Sequence, residues 1–102
     1  MAGEGLTNYI VTYDVNTETR AGRRRLSRVA RTCLDYGQRV QKSVFECKLT
    51  ELRFERLSHK LRDTIEPSAD SVRIYRLPKN RSRALTVHGL DTYTDYEGTL
   101  IV

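Results

Sequence analysis

Two stretches of this chain set their apolar residues at helical spacing, and each lies between runs with the composition of β-strands. Leu6, Tyr9, Ile10, Val11, Tyr13 and Val15 fill the first run. Its β-branched and aromatic content favours a strand, and it is too apolar to face water on both sides. Leu26, Val29, Ala30 and Cys33 then fall at i, i+3, i+4 and i+7. That is one face of a helix, and it predicts a helix over residues 20–36, with Leu34 widening the face. Thr17 or Thr19 can cap its start. Gly37 predicts its stop, in the left-handed conformation.

Val40, Val44, Phe45 and Cys47 restore strand composition. With Gln41-Lys42-Ser43 near the middle, two short strands are expected, about 39–41 and 43–49. Thr50 and Glu51 open a second helix. Phe54, Leu57, Leu61 and Ile65 are its stripe, and Glu66-Pro67-Ser68 ends it. Val72, Ile74, Tyr75 and Leu77 form a last strand before Pro78.

The order β-α-β-β-α-β predicts an α+β, ferredoxin-like domain: one antiparallel sheet with both helices on one face. The other face must be solvated, bind something or pair with a second copy. At 102 residues the chain has room for one domain. It divides into a flexible start (1–5), the domain (6–78) and a β extension (79–102) for dimer or partner pairing. Leu100-Ile101-Val102 is an unusually apolar place for a chain to stop. It predicts an edge strand that pairs with another chain or folds back on its own sheet.

Charge narrows the function. The formal net charge is +5, and Arg20, Arg23, Arg24, Arg25, Arg28 and Arg31 crowd the first helix. Arg24, Arg28 and Arg31 share one face. Only Glu18 and Asp35 stand nearby to balance them, so a solvated mixed-charge face is disfavoured. Guanidinium groups suit bidentate phosphate contacts, which give salt-dependent binding with little sequence preference. An anionic partner, nucleic acid above all, is expected. No apolar run nears the roughly 20 residues that cross a membrane, and Met1-Ala2-Gly3-Glu4-Gly5 is no secretory leader. A cytoplasmic protein is expected. Cys33 and Cys47 lack metal-site spacing and read as core residues. His59 and His88 have no ligand-spaced neighbour. Asp91, Asp95 and Glu97 match no calcium loop.

Asp14 closes the first strand. A carboxylate there must be paired, hydrogen-bonded or on a metal if it is buried. One reading is a salt bridge to Arg39 or Arg20. The other is a metal ligand. A single carboxylate holds Mg²⁺ poorly, but two brought together across a dimer axis can hold it with water and phosphate oxygens.

Tyr13-Asp14-Val15, the Arg-Arg-Arg helix and the string Tyr36-Gly37-Gln38-Arg39-Val40-Gln41-Lys42-Ser43-Val44-Phe45-Glu46-Cys47 together resemble the Cas-two family of small CRISPR-associated proteins. The resemblance covers about residues 6–77. It implies a ferredoxin-like homodimer in which Asp14 of both protomers faces across the interface and can hold a divalent metal, Mg²⁺ or Mn²⁺. It implies a metal-dependent endonuclease on RNA or duplex DNA, with residues of the Tyr13, Asp14, Arg39 and Phe45 type carrying activity. It equally implies a scaffold in CRISPR spacer acquisition, bridging copies of the Cas-one integrase and holding a short DNA duplex. For nucleic-acid contact the implied residues are Arg23, Arg24, Arg28, Arg31 and Arg39, with Arg24 and Arg28 foremost. An RNA-recognition module shares the strand order, but its aromatic strand pattern is not met by Ser43-Val44-Phe45-Glu46-Cys47.

Overall fold

A computed structural model describes residues 5–95. The elements are β1 (Thr7–Asp14), α1 (Arg20–Tyr36), β2 (Gln38–Gln41), β3 (Val44–Leu49), α2 (Glu51–Thr64), β4 (Ser71–Arg76) and a single turn of helix, α3 (Arg81–Ala84). The four strands make one antiparallel sheet in the order β2-β3-β1-β4. The class is α+β, as expected.

β1 is central and pairs with both β3 and β4. Val11 sits opposite Phe45 on one side and Ile74 on the other. Strand side chains alternate between faces. Tyr9, Val11 and Tyr13 therefore share a face with Phe45, Cys47 and Leu49, and all are buried. Val29 and Cys33 of α1 and Leu57 and Leu61 of α2 close the same cluster. Tyr9 also stacks on Phe54 of α2, with centroids 4.5 Å apart and planes 10° from parallel.

The helix ends follow from local chemistry. The Thr19 hydroxyl accepts from the backbone N–H of Gly22, and that of Thr50 from the N–H of Arg53. Gly37 does end α1, but its backbone is extended (φ −165°), not left-handed as expected. Its smallness serves a close approach instead. A Cβ there would run into the Glu46 carbonyl oxygen and Cys47 Sγ. Cys33 and Cys47 are buried free thiols, each pushed up to about 12 chiefly by burial.

The segment after β4 departs from the expected β extension. Its described part, residues 79–95, is α3 followed by chain that joins no strand. It lies against the face of the sheet away from α1 and α2. There Glu46 is only 5% exposed, and Arg81 meets it with two bonds, Nε–Oε1 at 2.6 Å and Nη2–Oε2 at 3.1 Å. The Arg81 guanidinium also sits 3.7 Å from the Tyr93 ring centroid and 3.8 Å from the Asp91 carboxylate. The Gln38 side chain exchanges two hydrogen bonds with the Thr94 backbone, and the Thr92 hydroxyl donates to the Val40 carbonyl. Polar bonds at these points, rather than a strand ladder, hold the segment down. The expected pairing of Leu100-Ile101-Val102 lies outside the described residues.

Arg81→Ala would strip a buried carboxylate of its cation. A loss of about 2 kcal/mol is expected, measured by chemical denaturation. Limited proteolysis should then cut the 85–95 segment well before the sheet.

Candidate nucleic-acid and metal site

Tyr13 and Asp14 are neighbours in sequence but point to opposite faces of the sheet. Tyr13 is buried beside Phe45, ring centroids 6.1 Å apart. Arg39, on the edge strand opposite Phe45, lays its guanidinium 5.0 Å from the Phe45 centroid, and its Nη2 comes 3.5 Å from the Tyr13 hydroxyl. Three of the four residues expected to carry activity thus form one cluster on the helix side. Phe45 is fully buried and has no free face on which a base could stack.

Asp14 stands apart, opposite Ser71 at the end of β4. It is exposed. Neither Arg39 nor Arg20 pairs with it, and no hydrogen bond or ion pair joins its side chain to any described residue. The salt-bridge reading therefore fails among the described residues, and the burial cost that would have required a partner is absent. Nor do the described residues hold a group of three or more His, Cys, Asp or Glu able to bind a metal. At the end of β1 one protomer offers the Asp14 carboxylate alone. That fits Mg²⁺ or Mn²⁺ only where a second copy supplies another.

The arginine helix runs on from this end of β1. Arg20, Arg23, Arg24, Arg28 and Arg31 are exposed. Arg23 donates to the Thr17 carbonyl at 3.1 Å. Arg24, Arg28 and Arg31 pair with no described acid. They lie at spacings of four and three on one helix face, which leaves three cations free for a phosphate backbone. Arg25 does not belong to that row. Its Nε meets the carboxylate of Asp70 at 2.6 Å, with the Asp70 side chain wholly buried.

Asp70 and Glu46 are the residues that reasoning from the sequence missed. Asp70 lies 45 positions from Arg25 with no local pattern to announce the pair. Its signal was indirect: an arginine near the inner edge of a helix must find an acid somewhere. Both Asp70 oxygens are in use, accepting also from the backbone N–H of Asn16 and of Glu66, each at 2.9 Å. Arg25 first, then these backbone donors, hold the carboxyl down to about 2 against the opposing effect of burial. His59 is exposed, between Arg62 and Asp63, and His88 is exposed. No helix among the described residues is long and apolar enough to cross a membrane.

The family described as CRISPR associated protein Cas2 matches residues 7–84. This chain belongs to the Cas2 family. It is 50% identical over 93 residues to "CRISPR-associated endoribonuclease Cas2" of Chlorobaculum tepidum, covering 91% of this chain and 97% of that one. Against "CRISPR-associated endoribonuclease Cas2 1" of Moorella thermoacetica the identity is 46% over the same coverage. Among solved structures, Streptococcus pyogenes Cas2 superposes with a TM-score of 0.71 at 52% identity, covering 80% of this chain and 99% of that one. The family match takes in every described strand and helix.

A carboxyl whose folded pKa lies below its ordinary value of 3.8 stabilises the fold at any pH above that value. The contribution fades as pH falls towards about 2. Asp70→Asn should therefore cost roughly 2 kcal/mol near neutral pH. The gap in Tm from wild type should narrow steadily below pH 4, read by calorimetry from pH 7 to pH 2.

Proposed function

We propose that this Cas2 protein is a metal-dependent endonuclease that works as a ferredoxin-like homodimer in CRISPR spacer acquisition. The observation that carries the reading is Asp14: an exposed carboxylate without a described partner, at the end of the central strand, where the arginine helix begins. The names of the relatives favour RNA as substrate. Asp14 and its counterpart in a second copy would hold Mg²⁺ or Mn²⁺. When bound, such an ion polarises a phosphodiester and lowers the pKa of a water.

The chain's own residues supply the rest. Arg24, Arg28 and Arg31 neutralise successive phosphates and hold the strand along α1. Arg39, carried on the buried Tyr13–Phe45 pair, adds a cation at the edge of the sheet. Tyr13 and Phe45 act by fixing that edge, since neither is free to touch a base. A site with one carboxylate per protomer offers little beyond positioning and charge, so slow turnover is expected.

A second reading, a non-catalytic scaffold that holds duplex DNA between copies of the Cas-one integrase, draws on a separate observation. The free arginine row needs no chemistry at Asp14 to bind a phosphate backbone. The two readings part on one experiment. Labelled single-stranded RNA and duplex DNA are incubated with wild type and Asp14→Asn, with and without Mg²⁺ or Mn²⁺. The nuclease reading expects metal-dependent cutting that drops to background in the variant. It also expects Mg²⁺ to raise the Tm of wild type more than that of Asp14→Asn. No cutting by either protein, with DNA binding intact, leaves the scaffold.

The arginine row is tested apart from chemistry. Arg28→Gln should weaken binding alike for all sequences and lower the slope of log K against log salt by about 1. An unchanged slope would remove Arg28 from the phosphate contacts.

A further inference from the structure

We propose that Asp70 is a positioning residue for Asp14, locking the loop that leaves the candidate metal ligand and the turn that enters the strand opposite it. The inference rests on the nuclease reading above. Asp70 does more than pair with Arg25. One of its oxygens accepts from the N–H of Asn16, two residues beyond Asp14, and the other from the N–H of Glu66 in the turn before β4. The residue after Asp70, Ser71, is the cross-strand partner of Asp14. A single buried carboxylate thus joins three pieces of chain: the loop leaving Asp14, the turn entering the strand opposite Asp14, and, through Arg25, the arginine helix.

Asn16 is held from its other side as well. Its carbonyl oxygen lies so close to Gly22 of α1 that a Cβ there would collide with it. Its side-chain oxygen accepts from the N–H of Glu18 at 2.9 Å. The loop between β1 and α1 therefore has little freedom. Asp14 has no described side-chain partner to aim it, so the direction of its carboxylate follows from its backbone. That backbone is set by β-pairing before it and by the Asp70 bond to Asn16 after it. The same carboxylate fixes how far the phosphate-binding arginines stand from Asp14.

A merely structural ion pair would need only Arg25 and Asp70. Four donors converge here, and two of them are backbone groups on either side of the Asp14–Ser71 pair. Asparagine is nearly the same size but replaces one acceptor oxygen with a donor. Its NH₂ would face the Asn16 N–H and one end of Arg25, or the Glu66 N–H and the other end. In either orientation one backbone segment is released, without a cavity.

The test compares full-length wild type, Asp70→Asn and a core variant of α2, Leu57→Val, in metal-dependent cleavage of labelled RNA and DNA below the melting range of all three. The exchange rate of the Asn16 amide is followed by NMR alongside. In Asp70→Asn we expect kcat to fall about tenfold or more with KM within about twofold of wild type, because Arg24, Arg28 and Arg31 are untouched. The Asn16 amide should lose its protection. Leu57→Val should lower Tm and leave kcat alone. Wild-type kcat in Asp70→Asn, or an unchanged Asn16 exchange rate, overturns the proposal and leaves the nuclease reading standing. A fall in kcat shared by Leu57→Val overturns it in favour of plain stability. A wild type that cuts neither substrate overturns the nuclease reading itself, and the proposal with it.

Discussion

The central strand β1 has a period of two, and with α1 and α2 on one face of the sheet that period sorts its own side chains between core and solvent. Tyr9, Val11 and Tyr13 must go inward, because α1 and α2 bury one side of the sheet and each of these residues is nearly or wholly out of water. Asp14 must then go outward. A shift of one residue in the pairing with β3 and β4 would reverse all four. It would bury the Asp14 carboxylate on the helix-covered face, which is costly without a partner. The hydrophobic core therefore determines that Asp14 faces solvent and that Tyr13, Arg39 and Phe45 gather on the other side.

Three carboxylates take opposite roles by the same physics. Asp70 and Glu46 are buried, and each is met by a two-pronged arginine. Charge-assisted pairs of this geometry are the strong ones, and they join segments remote in sequence. Asp70 secures α1 and β4 around the end of β1. Glu46 secures residues 81–94 over the sheet face that the helices leave open. The Asp14 carboxylate, in contrast, is exposed and bonds to no described residue, which keeps it available. The arginines divide in parallel: Arg25 and Arg81 are structural, whereas Arg24, Arg28 and Arg31 remain free of described acids.

Much of this was legible in the chain. The helices over 20–36 and from Thr50 onward, the split between two short strands near Gln41, and a threonine cap at position 17 or 19 all follow from period and local hydrogen-bonding chemistry. So did the family, since a string as long as Arg39 to Cys47 at a set distance from Tyr13-Asp14-Val15 is specific. The misreadings were those that needed a partner from elsewhere. Gly37 was assigned a conformational role, but its reason is the approach of β3. Nothing in the local spacing shows what Arg25 pairs with, because its acid, Asp70, comes from the turn before β4. The segment after Pro78 has strand-like residues in Leu85 and Val87, yet it settles on the sheet through Arg81, Thr92 and Thr94 without joining it.

The sequence by itself determined the α+β class, the element order, the basic helix and the lone acid at the end of the first strand. These rest on interactions within a few residues, or on a period that any strand or helix imposes. Tertiary structure alone decided that Asp70 and Glu46 are used up while Asp14 stays free. Ion pairing in a folded chain depends on what the sheet order brings within about 3 Å, and contacts such as Arg25 to Asp70 leave no trace in local spacing.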